Sequence, residues 1–301
     1  MEQESTVDLY LPEVCIANIL SRTSARDACR FSVVSSVFQF VVNSDSVWER
    51  FLPSDYQQIL SSSVSPFPFV FSSKKELYFH LCDNPVLIDN GTKTFALDKC
   101  SGKKCYMIGA KELSICAIYN PMGWIWQSSS ESRFSEVVES RMLGRLEVSG
   151  RMETQLLSPN TTYVAYLVIK FTDSASGFDY TLAKVSVKLA SNGGGEREMR
   201  VVSLKPVGRQ KRQLELVHRR IADFLRRLRP PDAADQQLPP PQYPQVPRER
   251  GDGWFEIELG EFFNEKGEDG DVEMSLMEIN VRGHKCGLII QGIELRPKKV
   301  E

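Results

Sequence analysis

The sequence predicts an α+β protein, with three short helices at the N-terminus followed by an antiparallel β-sandwich. Three observations predict it. Apolar residues between Leu9 and Leu52 recur mostly at steps of three and four. From Cys105 onward the spacing shifts towards two, in short runs separated by turn residues. The chain has 301 residues, 42% hydrophobic and 25% charged, which is enough for two globular domains of ordinary size.

The first helix opens at Leu11-Pro12, because proline is tolerated in a first turn whose N–H would lack a partner anyway. Val14, Ile16, Ala17, Ile19 and Leu20 then fall at helical spacing. Ser24 with Asp27 has the form of a capping box and opens a second helix carrying Ala25, Ala28, Cys29, Phe31, Val34, Val37, Phe38 and Val41. Ser46 with Glu49 repeats the signal ahead of Val47, Trp48, Phe51 and Leu52. Three helices this short cannot bury all their apolar faces among themselves. Phe38, Val41 and Trp48 are expected to leave a side that a partner covers.

Residues 53–80 read as a linker and connecting helix: SSSVSPFPFVFSSKKE is polar and proline-bearing, and Leu77 to Leu81 forms a short helix. Asn84-Pro85 marks a turn, and Asn90-Gly91 between Leu87-Ile88 and Phe95-Leu97 signals a hairpin. Thr161–Thr172 is apolar on both faces and belongs at the centre of a covered sheet. Leu182–Leu189 and Phe255–Leu259 alternate apolar with polar, and Leu288–Leu295 supplies a last strand. Met274 and Leu276 are followed by Met277, Ile279 and Val281, a parity flip that a bulge at Leu276-Met277 would explain. Many short strands between turn signals point to a sandwich. Residues 205–250 interrupt it as an insertion, with a basic amphipathic helix at 209–229 and then a proline-rich run.

Enzyme chemistry finds no footing in the residue pattern. His80, His218 and His284 lie in no nucleophile-elbow, metalloprotease or kinase context. Gly193-Gly194-Gly195 lacks the Lys-Ser or Lys-Thr of a phosphate cradle. The spacing of Cys82, Cys100, Cys105 and Cys116 matches no tetrahedral zinc site, and Glu265–Asp271 lacks the ligand rhythm of a calcium loop, so no cofactor is expected. The formal net charge of -2 gives no bulk attraction to nucleic acid or anionic membrane. There is neither a membrane-length apolar run nor a basic-then-apolar leader, so a cytoplasmic and/or nuclear setting with seven reduced cysteines is expected. Pro121-Met-Gly-Trp124-Ile-Trp126 puts two indoles on one face of an extended segment. Pattern alone leaves open whether they grip a sugar ring or fill the core.

The Leu-Pro opening, the apolar helices and the closing Trp48, continuing as SDSVWERFLPSDY, resemble an F-box of the plant form that precedes a phloem-protein-2-type domain. The resemblance implies an F-box over 6–52 docking on the Skp-type adaptor of a cullin–RING ubiquitin ligase core. Position by position it implies Leu11, Pro12, Ile16, Leu20, Val34, Phe38 and Trp48 as adaptor-binding residues. Residues 106–300 are similar to the phloem-protein-2 and Nictaba-type lectin domain, which implies a β-sandwich of jelly-roll type over 81–301. The similarity is carried by KELSI, RFSEVVE, LEVSGRMETQLLSPNTTYVAYLVIKF, DGWFEIELGEFFN and GEDGDVEMSLMEI. That family implies a site for N-acetylglucosamine oligomers or N-glycan cores, falling here on Trp124, Asp271 and Glu278. The family's other tryptophan falls on Ala117 and one of its glutamates on Asp271, so a stacking platform is missing and a carboxylate is shortened. The implied protein is a non-catalytic substrate-recognition subunit for a glycan or glycoprotein. The alternative is a protein-interaction adaptor whose sugar site has degenerated.

Overall fold

The computed structural model describes residues 11–64, 71–190, 200–204, 245–268, 270–279, 281 and 283–299. The chain divides into two compact units, residues 1–106 and 107–301. The basic segment 209–229 and the proline-rich run lie outside the described residues. Among the described residues no helix is long and apolar enough to cross a membrane.

The first unit is helical. Helix α1 spans Glu13–Leu20 and starts after Pro12, whose carbonyl accepts from Cys15 N at 2.8 Å. The second expected helix is two: α2 is Ala25–Phe31 and α3 is Ser36–Val42. Ser24 caps α2 by accepting from Asp27 N, and Ser35 caps α3 by accepting from Phe38 N. Val33 and Val34 carry the apolar spacing across the break, which is why periodicity alone runs the two together. Helix α4 is Asp45–Trp48; its cap is Ser44, not Ser46, because the Ser44 side chain accepts from Ser46 N.

Beyond residue 52 the described residues hold two helices, and residues 65–70 lie outside the described residues. Helix α5, Tyr56–Ser61, buries Tyr56 and Ile59, and α6, Lys74–Asp83, buries Leu77, Tyr78 and Leu81. Strands β1 (Val86–Ile88) and β2 (Lys93–Leu97) form the expected antiparallel hairpin. Its connection is the four residues 89–92, in which Asp89, Asn90 and Gly91 are all left-handed at φ 52°, 55° and 83°.

The expectation for Trp48 and Val41 is overturned, since both are buried, and it is helix α6 that covers Trp48. The Trp48 ring lies 5.2 Å from Tyr78, 5.2 Å from Phe79 and 5.5 Å from Phe51, centroid to centroid. Its indole N–H donates to Val42 O at 2.5 Å. The tryptophan is thus the centre of the unit's own core, and its one polar atom is satisfied there.

After β3 (Lys104–Gly109), within which the division falls, the second unit is an antiparallel β-sandwich of two sheets. One sheet runs β5 (Trp124–Ser128), β6 (Glu136–Ser140), β14 (Cys286–Pro297), β8 (Thr161–Ser176), β12 (Phe255–Asn264) and β11 (Arg248–Glu249). The other runs β10 (Arg200–Ser203), β9 (Leu182–Leu189), β13 (Asp271–Glu278), β7 (Glu147–Glu153) and β4 (Ser114–Ile115). Strand β8 is central, paired on both edges, as its two apolar faces require.

The bulge expected at Leu276-Met277 is absent. Strand β13 pairs without a register shift against β7 from Asp271 to Met277 and against β9 from Val272 to Glu278. Val272, Met274, Leu276 and Glu278 face inward, while Met277 is exposed. The apparent parity flip arises because a buried carboxylate occupies an inward position. Register shifts occur instead at Glu258/Gly260 in β12, and at Cys286/Leu288 and Ile290/Gly292 in β14. Gly292 is required at its bulge because a Cβ there would stand 2.0 Å from Ile108 O.

Candidate functional site

The residues expected at functional sites fall in two regions, one in each unit. In the helical unit the seven residues expected to meet an adaptor divide by burial. Leu11, Pro12 and Val34 are exposed and Phe38 is half-buried; Ile16, Leu20 and Trp48 are buried. The open apolar surface is therefore mostly aliphatic and includes residues the sequence reading did not select. Val14, Ile19 and Val37 are exposed, Val33 is 87% exposed and Phe40 is 67% exposed. Phe31 stacks on Phe38 with centroids 5.9 Å apart. Exposed apolar side chains in this number on so small a helical unit make it a candidate for a protein-binding face. Val33 and Phe40 could have been found from Ser35: once it is read as a cap, the residues flanking it fall on a new helix start rather than on a continuous inner stripe.

In the sandwich, Trp124 opens β5 and is 3% exposed, with its indole N–H donating to Cys116 O at 3.0 Å. Trp124 therefore takes the core alternative that the pattern left open, and Trp126 is half-buried. Ala117 sits in an exposed turn at φ 56°, a left-handed conformation that strains any residue with a Cβ.

Glu278 closes β13 and is fully enclosed. Its Oε2 accepts from Leu146 N at 2.8 Å, and its Oε1 lies 2.7 Å from Lys285 Nζ. Both side chains have 0% exposure, and Lys285 Nζ also donates to Gly144 O at 3.1 Å. The pair neutralises two charges that burial would otherwise make costly, and it ties the end of β13 to the Ser140–Leu146 loop.

Trp124 and Glu278 belong to one end of the sandwich. Cys116, which accepts from Trp124, donates its N–H to Glu147 O, the neighbour of Leu146. Asp271 is half-buried at the opposite end of β13. Seven residues at about 3.3 Å each separate its backbone from that of Glu278 by roughly 23 Å. A single sugar ring cannot span the two.

A second charged cluster lies on β12 and β14. Glu294 accepts from Arg133 and Arg250, each at 2.7 Å, and Arg296 donates to Glu256 at 2.8 Å while lying over the Tyr166 ring at 4.1 Å. Burial alone would raise the Glu294 carboxyl, but Arg133, Arg250 and Arg296 together outweigh it and hold it below the usual carboxylate range. A carboxylate saturated by three guanidiniums has little capacity left to act as an acid, a base or a ligand.

Comparison with known proteins follows the same division. The phloem protein 2 family model matches residues 103–297, and the F-box domain model matches residues 9–50. Among Arabidopsis thaliana proteins, F-box protein PP2-B10 is 40% identical over 100% of this chain and 97% of its own length. F-box protein PP2-B15 is 42% identical over 97% of this chain and 98% of its own, and F-box protein VBF is 41% identical over 96% and 99%. A carbohydrate-binding module solved with β-1,4-galactotriose aligns at a TM-score of 0.30 and 12% identity, covering 62% of this chain and 87% of that one.

Proposed function

From the premise that the chain belongs to the phloem protein 2 family and carries an F-box, we propose that it is a non-catalytic substrate-recognition subunit of a cullin–RING ubiquitin ligase. Ubiquitin transfer belongs to the partner enzymes. This chain supplies proximity, raising the local concentration of a substrate beside them. The observation that carries the proposal is the open aliphatic face of the helical unit. Leu11, Pro12, Val34 and Phe38 meet the Skp-type adaptor, and Ile16, Leu20 and Trp48 hold that face in shape from behind. Co-purification with a Skp-type adaptor tests it. The wild-type chain is expected to bring the adaptor down and a Leu11→Ala/Pro12→Ala variant to lose it; equal recovery by both would remove the proposal.

For the sandwich, family membership supports a glycan or a glycoprotein that has reached the cytoplasm or nucleus; of the three expected residues, Trp124 and Glu278 share one end and Asp271 lies at the other, so one pocket would draw on the first two. A glycan array probed with wild type and Trp124→Ala tests this, and signal indifferent to the substitution would sink the assigned pocket. A second reading is that the sandwich recognises polypeptide. It is favoured by the burial of Trp124 and by the engagement of Glu278 with Lys285, which leave neither an open stacking plane nor a free carboxylate at those positions. A blank array with substrates still captured is its signature.

A further inference from the structure

The end of the sandwich that holds Trp124 and Glu278 carries three loops, and what they expose is unlike either buried residue. Tyr119 is 96% exposed and Met122 is 61% exposed, both in the turn ahead of β5. Met142 is exposed in the loop after β6, and Val281 in the segment after β13. These loops are fastened to one another. Arg141 N donates to Gly123 O at 2.8 Å, and Leu143 and Lys285 exchange backbone hydrogen bonds of 2.9 Å in each direction. The Glu278–Lys285 pair and the Leu146 N–H close the base. Apolar side chains standing on a scaffold tied this way are held in place rather than left to collapse inward.

The charge of this end is one-sided. None of the segments 116–123, 140–146 and 279–285 contains an Asp or a Glu, although the whole chain has a formal net charge of -2. Lys285 is neutralised by Glu278, but Arg141 and Arg145 are exposed. Arg141 makes no ion pair among the described residues, and Arg145 reaches Glu147 only at 3.7 Å. Methionine is an adaptable apolar contact and tyrosine a large amphipathic one, a mixture suited to polypeptide side chains.

We propose that this loop end is a docking surface for an acidic, apolar-bearing polypeptide segment, with Tyr119, Met122, Met142 and Val281 taking its apolar side chains and Arg141 and Arg145 its carboxylates. The proposal rests on the polypeptide reading of the sandwich and gives it a place and a ligand chemistry. A neutral oligosaccharide would leave the two arginines without work. Nucleic acid draws its affinity from many phosphate contacts, and two exposed arginines among apolar residues are too few.

The test uses the intact chain against immobilised peptides of equal length in four classes: acidic-apolar, acidic-polar, basic-apolar and neutral-apolar. N-acetylglucosamine oligomers and single-stranded DNA are run beside them. The acidic-apolar class is expected to bind best and to weaken with salt. Arg141→Glu/Arg145→Glu and Tyr119→Ser/Met122→Ser are each expected to lose about tenfold in affinity with an unchanged melting temperature. Acidic-apolar binding that both variants retain would overturn the surface while leaving the polypeptide reading in place. No binding by any peptide class, or binding only by the sugar or the DNA, would overturn both. Adaptor co-purification from the same preparations reports separately on the ligase assignment.

Discussion

The helical unit and the sandwich treat their tryptophans alike and their surfaces differently. Trp48 and Trp124 both sit in cores, each with its indole N–H on a backbone carbonyl, Val42 O and Cys116 O respectively. In the helical unit the exposed apolar side chains are mostly aliphatic and include Val33, Val34 and Phe40. Around Trp124 the sandwich leaves a mixed surface of Tyr119, Met122 and two arginines. The first composition suits one constant partner that buries apolar area; the second suits discrimination among ligands by charge. In neither unit does the most conspicuous aromatic form the surface; in both it supports that surface from behind.

The comparison is broken most severely at the supports. Lys285→Met leaves Glu278 buried without a counter-charge, and a loss of about 3–5 kcal/mol is expected in denaturant unfolding of the sandwich. Lys285→Met/Glu278→Leu is expected to recover part of that loss, with the Leu146 N–H still wanting an acceptor. Trp48→Ala removes the centre of the helical core and is expected to cost about 3–5 kcal/mol, read from the unfolding midpoint.

How far these supports were legible follows from how local their causes are. The double-faced apolar run of β8 and the Asn-Gly hairpin are written in adjacent residues, and both were read correctly. The Glu278 position was misread because its reason lies seven residues on, in Lys285. Without that partner, Met277 and Ile279 look like the inward pair. Trp48 was misread as open because the residues that cover it, Tyr78 and Phe79, come from α6, a helix whose apolar signal was only partly visible. The α2/α3 break was missed because Val33 and Val34 keep helical spacing while Ser35 ends it. Cap residues and long-range pairs, not periodicity, decided the outcome at each of these places.

A gentler way to sharpen the contrast is pH. The Glu294 carboxyl is held below its ordinary value among Arg133, Arg250 and Arg296. Its stabilising contribution is full above the unfolded carboxylate value, about pH 4.3, and is lost as pH falls from there through the lowered folded value. Unfolding of the sandwich followed between pH 7 and pH 3 is expected to show that loss, and Glu294→Gln to be less stable at neutral pH with a flatter acid limb. An acid limb of unchanged slope in Glu294→Gln would show that the cluster does not contribute to the pH dependence. The smallest effects on stability belong to the surfaces. Val33→Asp and Phe40→Asp replace exposed side chains and are expected to change unfolding free energy by no more than about 0.5 kcal/mol.

Those same two substitutions bear most directly on the central assignment. Titration of a purified Skp-type adaptor into the intact chain is expected to show saturable binding with a negative heat-capacity change, as burial of the aliphatic face requires. Val33→Asp/Phe40→Asp is expected to abolish that binding while the melting temperature stays at the wild-type value. Adaptor binding undiminished in this folded variant, or no adaptor binding by the wild-type chain, would contradict the assignment of the helical face.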